Sequence, residues 1–299
     1  MPPVGRFAPS PTGPLHLGSL LAAVGSWLSA RSGGGRWLVR IEDLDTGRVV
    51  PGSAEGILES LERYGLTWDG AAVWQSERTS LYEDALRTLR ERGMAFDCSC
   101  TRADLRRSAS APAPGEEGEL VYPGTCRAGA VGTVRSVRFP APDEVLSFQD
   151  AVAGRIEQNV AREVGDFVIR RADGPFSYQL AVVVDDAEQG ITEVVRGGDL
   201  LSSTPRQIAL QRALDLPTPA YAHLPLLVDE RGSKVGKRNG ALPLPLLGRD
   251  VVGRTLALAL SLLGIEQVEP SSPERMLDEA LGKFDAGRVP RGPVSVFGR

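Results

Sequence analysis

The sequence predicts an α/β fold built on a parallel sheet, with a segment inserted between its two halves. Three observations carry this. Short apolar runs at residues 4–8 and 36–42 alternate with longer helix-forming runs, the pattern of strands and crossover helices. The first strand runs through a Pro- and Gly-rich loop into a helix, an arrangement that favours bound phosphate. The pattern breaks at Met94 and resumes at Asp166, so the residues between them read as an insertion.

Residues 4–8 read as a buried strand. Pro9, Pro11, Gly13 and Pro14 then forbid helix, and residues 20–30 are apolar and rich in helix formers. His16 and Gly18 fall where the loop becomes the helix, so backbone N–H groups there are expected to face an anion. A Gly-rich turn ending at Gly35 leads to a second strand, residues 36–42. Glu42, Asp43 and Asp45 close it, at the strand edge where parallel sheets bind ligands; a solvated acidic turn is the plain alternative. Residues 53–64 form an amphipathic helix through Ile57, Leu58, Leu61 and Tyr64. Ser80 and Glu83 have capping-box spacing and predict a helix over 81–92, stopped by Gly93.

The insertion covers residues 96 to about 163. It opens with Cys98 and Cys100, followed by Arg102, Arg106 and Arg107. Residues 108–119 are Ala-, Pro-, Ser- and Glu-rich and predict a mobile loop. Tyr122 and Cys126 follow, then short strands at 134–139 and 146–150. Thiolates bind zinc, which takes four ligands in structural sites, so three Cys need a fourth partner. Tyr122 is near in sequence; three ordinary reduced thiols are the alternative.

Residues 166–171 resume the sheet, and 172–175 form a turn. Residues 177–186, centred on Ala181 and three valines, read as another strand. A strand at 193–196, a helix at 204–214 and a strand at 223–228 follow, leading into a loop over 229–238. Lys234, Lys237 and Arg238 on that loop suit a polyphosphate clamp when paired with the His16 loop; alone they are a solvated basic loop. Arg6 and Arg196 lie on apolar strands and suit a carboxylate ligand. Glu42 complements an ammonium, and Tyr178 lines the same place or is a core aromatic. Helices at 250–263 and 273–281 come next, the latter capped by Ser272 with Pro273 in its first turn; residues 287–299 read as irregular.

The expected organisation is a catalytic domain from residues 1–95 and 164–242, an inserted subdomain at 96–163 and a helical region at 243–299. The chain has 299 residues, 42% hydrophobic, with a net charge of −4 and a pI near 5.5. That acidity argues against a basic nucleic-acid-binding domain, so RNA is expected to meet a local patch such as Arg102, Arg106, Arg107, Arg127, Arg135 and Arg138. No apolar run spans a membrane, no signal peptide is evident and three Cys make no disulfide framework; a cytoplasmic location is expected. Neither the P-loop nor the dinucleotide motif is present.

Together, Arg6-Phe-Ala-Pro-Ser-Pro-Thr-Gly13, Arg40-Ile-Glu-Asp-Leu-Asp45, Ala181-Val-Val-Val-Asp-Asp186 and Val195-Arg-Gly-Gly-Asp199 resemble class I aminoacyl-tRNA synthetases of the glutamate type. The His16 loop is similar to the first signature of that class, and Lys234-Val-Gly-Lys-Arg238 to the second. With about fifty residues after the second signature, and with Cys-x-Cys and Tyr-x-x-x-Cys in the insertion, the chain resembles the glutamyl-queuosine tRNA(Asp) synthetase family. The resemblance implies a Rossmann-like sheet with an inserted zinc-binding subdomain, a short helical region and no anticodon-binding domain. It implies ATP-dependent, tRNA-independent activation of L-glutamate, then its transfer to queuosine in the anticodon of tRNA(Asp). Arg6, Phe7, Ala8, Pro9, Ser10, Glu42, Tyr178 and Arg196 would bind glutamate. His16, Gly18, Lys234 and Lys237 would bind ATP with Mg²⁺, with His16 and Lys237 catalytic. Cys98, Cys100, Tyr122 and Cys126 would hold one structural Zn²⁺, in a chain expected to be monomeric. Two departures stand out: Ser19 replaces the second His usual in the wider class, and Gly236 replaces a Ser usual in the second signature. A free-standing small-molecule adenylyltransferase and a non-catalytic RNA-binding relative are the competing expectations.

Overall fold

A computed structural model describes residues 1–108, 121–235 and 243–295. Gly236, Lys237, Arg238 and residues 109–119 of the predicted loop lie outside the described residues. The first half runs β1 (Val4–Phe7), α1 (Leu17–Ser32), β2 (Arg36–Ile41), α2 (Ser53–Arg63), β3 (Val73–Trp74) and α3 (Thr79–Glu91). Next come β4 (Phe96–Cys98), α4 (Arg102–Ser108), β5 (Ser136–Phe139), β6 (Val145–Asp150), β7 (Gly154–Asn159), α5 (Val160–Glu163) and β8 (Phe167–Arg170). The chain continues through α6 (Tyr178–Glu188), β9 (Glu193–Gly197), α7 (Thr204–Ala213), β10 (Ala220–Leu224) and β11 (Leu227–Val228). It ends with α8 (Arg249–Leu262), α9 (Pro273–Leu281) and β12 (Val294–Ser295). No helix among the described residues is long and apolar enough to cross a membrane.

Strands β1, β2 and β3 pair in parallel in that order. A second sheet has the order β7-β6-β10-β9, parallel except for β7. Thr192 joins the two: its N–H donates to the Val4 carbonyl at 3.0 Å, and its hydroxyl accepts from the Val4 N–H at 2.9 Å. Chain order therefore reverses between β1 and β9, the kind of switch point where parallel sheets open a crevice at their C-terminal ends. Helix α1 sits over this seam, and Gly25 permits it: a Cβ there would lie 2.6 Å from Leu224 Cδ1.

Side-chain alternation along β1 sorts its residues between the two faces. Phe7 is buried in the core formed with α1, α2, α8 and α9, its ring stacked on Trp37. Arg6 turns the other way, towards α6. A second core joins α3, α6 and α7 to the antiparallel sheet β4-β5-β8 through Tyr82, Leu86, Phe139, Phe167 and Leu180. The strand expected at 146–150 is β6, and it pairs with β10 of the parallel sheet. The strand expected at 166–171 is β8, and it pairs with β5.

Residues 177–186 are not a strand but most of helix α6. Three consecutive valines favour strand by propensity, but the helix is buried on most sides, so its sequence shows no polar face from which to read a 3.6-residue period. The Ser80–Glu83 capping box does not form. A 3₁₀ turn at Gln75–Arg78 feeds α3 directly, Arg78 occupies the cap position without a side-chain bond, and Glu83 pairs with Arg170 instead. The run 223–228 splits into β10 and β11 around Pro225, which has no N–H for the ladder. The tail is not wholly irregular, because Val294 and Ser295 pair with β11. Ser272 caps α9 as expected, accepting the Arg275 N–H at 3.4 Å.

Candidate active site and metal centre

The His16 loop is pinned from both sides. Gly13 exchanges two hydrogen bonds with the Ser53 hydroxyl, each 2.9 Å, and the Pro9 carbonyl accepts the Glu42 N–H at 3.0 Å. His16 itself caps α1: its Nδ1 accepts the Gly18 and Ser19 N–H groups at 3.1 and 3.4 Å. Two amides expected to face an anion are thus already engaged. With Nδ1 accepting, the neutral ring carries its proton on Nε2, and the imidazole presents an N–H where the bare helix end would have presented amides. Gly18 leaves room for this ring, since a Cβ there would lie 3.0 Å from His16 Cε1.

The second predicted loop adjoins the first. Val235 O lies 3.9 Å from the Cβ position of Gly18, Pro243 bridges to His16, and the Leu244 N–H donates to Leu15 O at 2.9 Å. Lys234 forms an ion pair with Asp199. Val235 and Pro243, on either side of the segment that carries Lys237, therefore both lie beside the His16 loop.

Arg6, Glu42, Tyr178 and Arg196 come together beside the β1–β9 seam, and all but Tyr178 are at least nine-tenths buried. They stand on a network that the sequence reading missed. Fully buried Arg40 donates to Asp186 at 2.8 Å, to Gln189 at 2.7 Å and to Glu42 at 3.2 Å, while Asp186 also accepts from Arg6 at 3.2 Å. Asp185 is anchored behind by Gln75, Arg78 and Tyr82 at 2.7, 2.7 and 2.8 Å. Burial outweighs the attraction of Arg40 and Arg6 and pushes the Glu42 carboxyl up to about 7. Asp186 is held below the ordinary carboxylate range by Arg6 and Arg40, against the cost of its burial. A charged residue at position 40, between the buried apolar Val39 and Ile41, was the sequence signal for this network. Its partners Asp185 and Asp186 were concealed by the misread helix.

Of the three carboxylates after β2, only Glu42 enters this cluster. Asp43 accepts from the Ser76 N–H and hydroxyl at 2.8 and 2.7 Å, and Asp45 pairs with Arg48 and Arg171. Phe7 shows the site no side chain, since its ring is in the core; Ala8 and Pro9 are half-buried and Ser10 is exposed.

Arg196 is the most heavily bonded residue of the site. It donates Nε–H to His223 Nε2 at 3.0 Å, Nη1–H to the Tyr178 hydroxyl at 3.1 Å, and Nη2–H to Thr204 Oγ1 and Gln207 Oε1 at 2.8 and 2.9 Å. Behind it, Asp150 Oδ2 lies 2.6 Å from His223 Nδ1. Burial and the Arg196 charge pull the His223 pKa down, despite Asp150.

In the insertion the sulfurs of Cys98, Cys100 and Cys126 all lie within 4.8 Å of one another, close enough to bind a metal ion. Cys100 and Cys126 are 3.6 Å apart, and the Tyr122 oxygen lies 3.6 and 3.9 Å from Cys98 and Cys100. The Cys126 N–H donates to that oxygen at 2.8 Å. Arg138, expected among the RNA-facing arginines, is buried here: it stacks 4.0 Å over the Tyr122 ring and donates to Cys98 Sγ. Arg127 pairs with Asp166, while Arg102, Arg106 and Arg135 are exposed.

The switch-point sheet, the two adjoining loops and the buried charge cluster define the catalytic domain of a class I synthetase. Residues 4–269 match the family described as tRNA synthetases class I (E and Q), catalytic domain. A protein of Thiobacillus denitrificans named glutamyl-Q tRNA(Asp) synthetase is 53% identical over 296 residues, covering 97% of this chain and 96% of its own length. One of the same name from Geobacter sulfurreducens is 51% identical, over 97% of this chain and 94% of its own length. The crystal structure of a glutamate tRNA ligase from Elizabethkingia meningosepticum, in complex with its amino acid, superposes with a TM-score of 0.81 at 26% identity. That match covers 99% of this chain and 67% of that one. The chain belongs to the glutamyl-Q tRNA(Asp) synthetase family, and it is a ligase of the class I synthetase type.

Proposed function

We propose that this enzyme activates L-glutamate with ATP, without tRNA, and passes the glutamyl group to queuosine in the anticodon of tRNA(Asp). The observation that carries the first step is the convergence of Arg6, Glu42, Tyr178 and Arg196 on one buried patch next to the His16 loop. Its charges complement glutamate, with two guanidinium groups for the carboxylates and one carboxylate for the ammonium. The names of the relatives support the amino acid and the RNA.

In this reading the α-carboxylate of glutamate attacks the α-phosphorus of ATP in line. A carboxyl–phosphoryl bond forms as the bond to pyrophosphate breaks, and no protein nucleophile is needed. The residues act by positioning and by stabilising charge on the phosphates. His16 offers Nε2–H on the α-phosphate side, Gly18 allows close approach, and Lys234 and Lys237 meet the leaving pyrophosphate, with Mg²⁺ accompanying ATP. A queuosine hydroxyl then attacks the adenylate carbonyl, and AMP leaves. The backbone of residues 7–10 lines the amino-acid site. We further read the chain as a cytoplasmic monomer whose catalytic domain is built from residues 1–95 and 164–242, with β6 and β7 of the intervening segment extending its sheet.

Cys98, Cys100, Cys126 and Tyr122 fit zinc. A tetrahedral site with metal–sulfur bonds of about 2.3 Å has sulfur–sulfur edges of about 3.8 Å, close to the 3.6 Å between Cys100 and Cys126. The ion would tie β4 to the segment carrying Tyr122 and Cys126, a structural role.

The test is exchange of labelled pyrophosphate into ATP by the purified enzyme without tRNA. Glutamate-dependent exchange is expected. Exchange that needs tRNA, or none from well-folded protein, would defeat the proposed first step.

A further inference from the structure

The Arg196 guanidinium has five N–H donors, and among the described residues four are directed at Tyr178, Thr204, Gln207 and His223, with Leu200 O a further 3.4 Å neighbour of Nη2. One Nη1 hydrogen is left for a ligand, beside the Tyr178 hydroxyl. Which way it points is set by the four bonds that fix the plane of the group. The Nε bond is unusual, because its acceptor is a histidine that can accept only in one tautomer.

That tautomer is imposed from behind. Asp150 Oδ1 accepts three backbone N–H groups, from His223 at 3.1 Å, Val152 at 3.0 Å and Ala153 at 2.7 Å. Its Oδ2 faces His223 Nδ1 at 2.6 Å. A carboxylate accepts and a guanidinium donates, so Nδ1 must carry the proton and Nε2 the lone pair. We propose that His223, held in this tautomer by Asp150, is a positioning residue that fixes Arg196 to read a carboxylate of glutamate. This rests on the reading of Arg196 as part of the amino-acid site. Asp150 ends β6, so the hairpin of β6 and β7 contributes to amino-acid recognition without touching the ligand.

The geometry predicts an outcome that size alone does not. In Asp150→Asn the three backbone donors hold the amide oxygen at the Oδ1 position, which turns the amide NH₂ towards His223 Nδ1. His223 must then accept at Nδ1 and carry its proton on Nε2, which faces the Arg196 Nε–H at 3.0 Å and the Thr204 hydroxyl, itself taken up by Arg196 Nη2–H, at 3.2 Å. A near-isosteric change thus sets two donors against each other, as a wrong tautomer does in a catalytic triad.

The chain has two histidines, and the structure assigns them opposite tautomers: proton on Nε2 in His16, on Nδ1 in His223. Two-bond ¹H–¹⁵N correlation spectra read both directly, with a His16→Asn variant to assign the signals. The expected result is His223 in the Nδ1–H form in the wild type and in the Nε2–H form in Asp150→Asn. In pyrophosphate exchange, Asp150→Asn is expected to raise KM for glutamate about 10- to 100-fold, the cost of a misdirected charged hydrogen bond, with KM for ATP unchanged. His223→Gln, which can offer an amide oxygen to Arg196, is expected to keep a lower glutamate KM than His223→Leu. A wild-type His223 in the Nε2–H or charged form would overturn the proposal. So would an unchanged glutamate KM in Asp150→Asn, or an equal rise in the KM of both substrates. Absence of glutamate-dependent exchange in the wild type would instead defeat the reading of the activity, and the spectra would still decide the tautomer.

Discussion

Glu42 shows how a single side chain can carry both a cost and a use. It is nine-tenths buried, and three carboxylates, Glu42, Asp185 and Asp186, surround the one guanidinium of Arg40. Burial therefore keeps its proton on up to about 7. Only the ionised form can take the ammonium of an amino acid. So kcat/KM for glutamate is expected to fall about tenfold per pH unit below that value and to level off above it. In Glu42→Gln the profile should be flat over this range and lower by about 10- to 100-fold at pH 8, from the lost charged hydrogen bond. A wild-type profile flat through 7, or a Glu42→Gln variant that keeps the rise, would contradict this. The folding linkage has the opposite sign. A carboxyl raised from 4.5 in the unfolded chain favours the fold below 4.5, and that contribution is lost as the pH rises through about 7. Glu42→Gln should therefore be more stable relative to the wild type at pH 8 than at pH 5.

At the scale of elements, the thiol cluster proposed to bind zinc depends on a backbone contact as much as on sulfur. Gly165 has a φ of +78°, and a Cβ there would lie 2.7 Å from both N and O of Tyr122. Gly165→Ala is expected to push Tyr122 away from the thiols, to cost about 2 kcal/mol or more in stability and to lower the bound metal per chain. Metal analysis and thermal unfolding check this; full metal content with an unchanged melting temperature would contradict it. Local signals made some elements legible and concealed others. Strand β1, helix α1 and strand β2 could be read because apolar runs, prolines and glycines mark their ends. Helix α6 could not, because burial removed its polar face and its valines mimic a strand. Strands β3 and β7 were missed for other reasons: β3 has two residues, and the alternating Gly154–Asn159 holds one aliphatic side chain, Ile156. The candidate site was legible where residues sit at strand ends, as with Arg6, Glu42 and Arg196. It was not legible for Arg40, Asp150, Asp186 and His223, whose roles come mainly from partners 27 to 180 positions away.

Across the whole molecule, two chains of polar groups converge beside the sheet's switch point. One arm runs from Arg78 and Asp185 through Arg40 to Glu42, and the other from Asp150 through His223 to Arg196. The two arms reach the same patch from opposite sheets, so the proposed amino-acid site depends on β2 and β9 being held in register by β1. The insertion packs against α3 and α6 through one of the two main cores, which places the thiol cluster on the same body as the charge network. In the proposed function this body activates the amino acid, and the proposed RNA acceptor is what separates it from its glutamate-type relatives. Transfer of labelled glutamate to purified tRNA(Asp), with and without queuosine, tests this most directly. Label is expected on the queuosine-containing tRNA(Asp) alone, in the anticodon loop; label on the 3′ end of tRNA(Glu) would contradict the assignment.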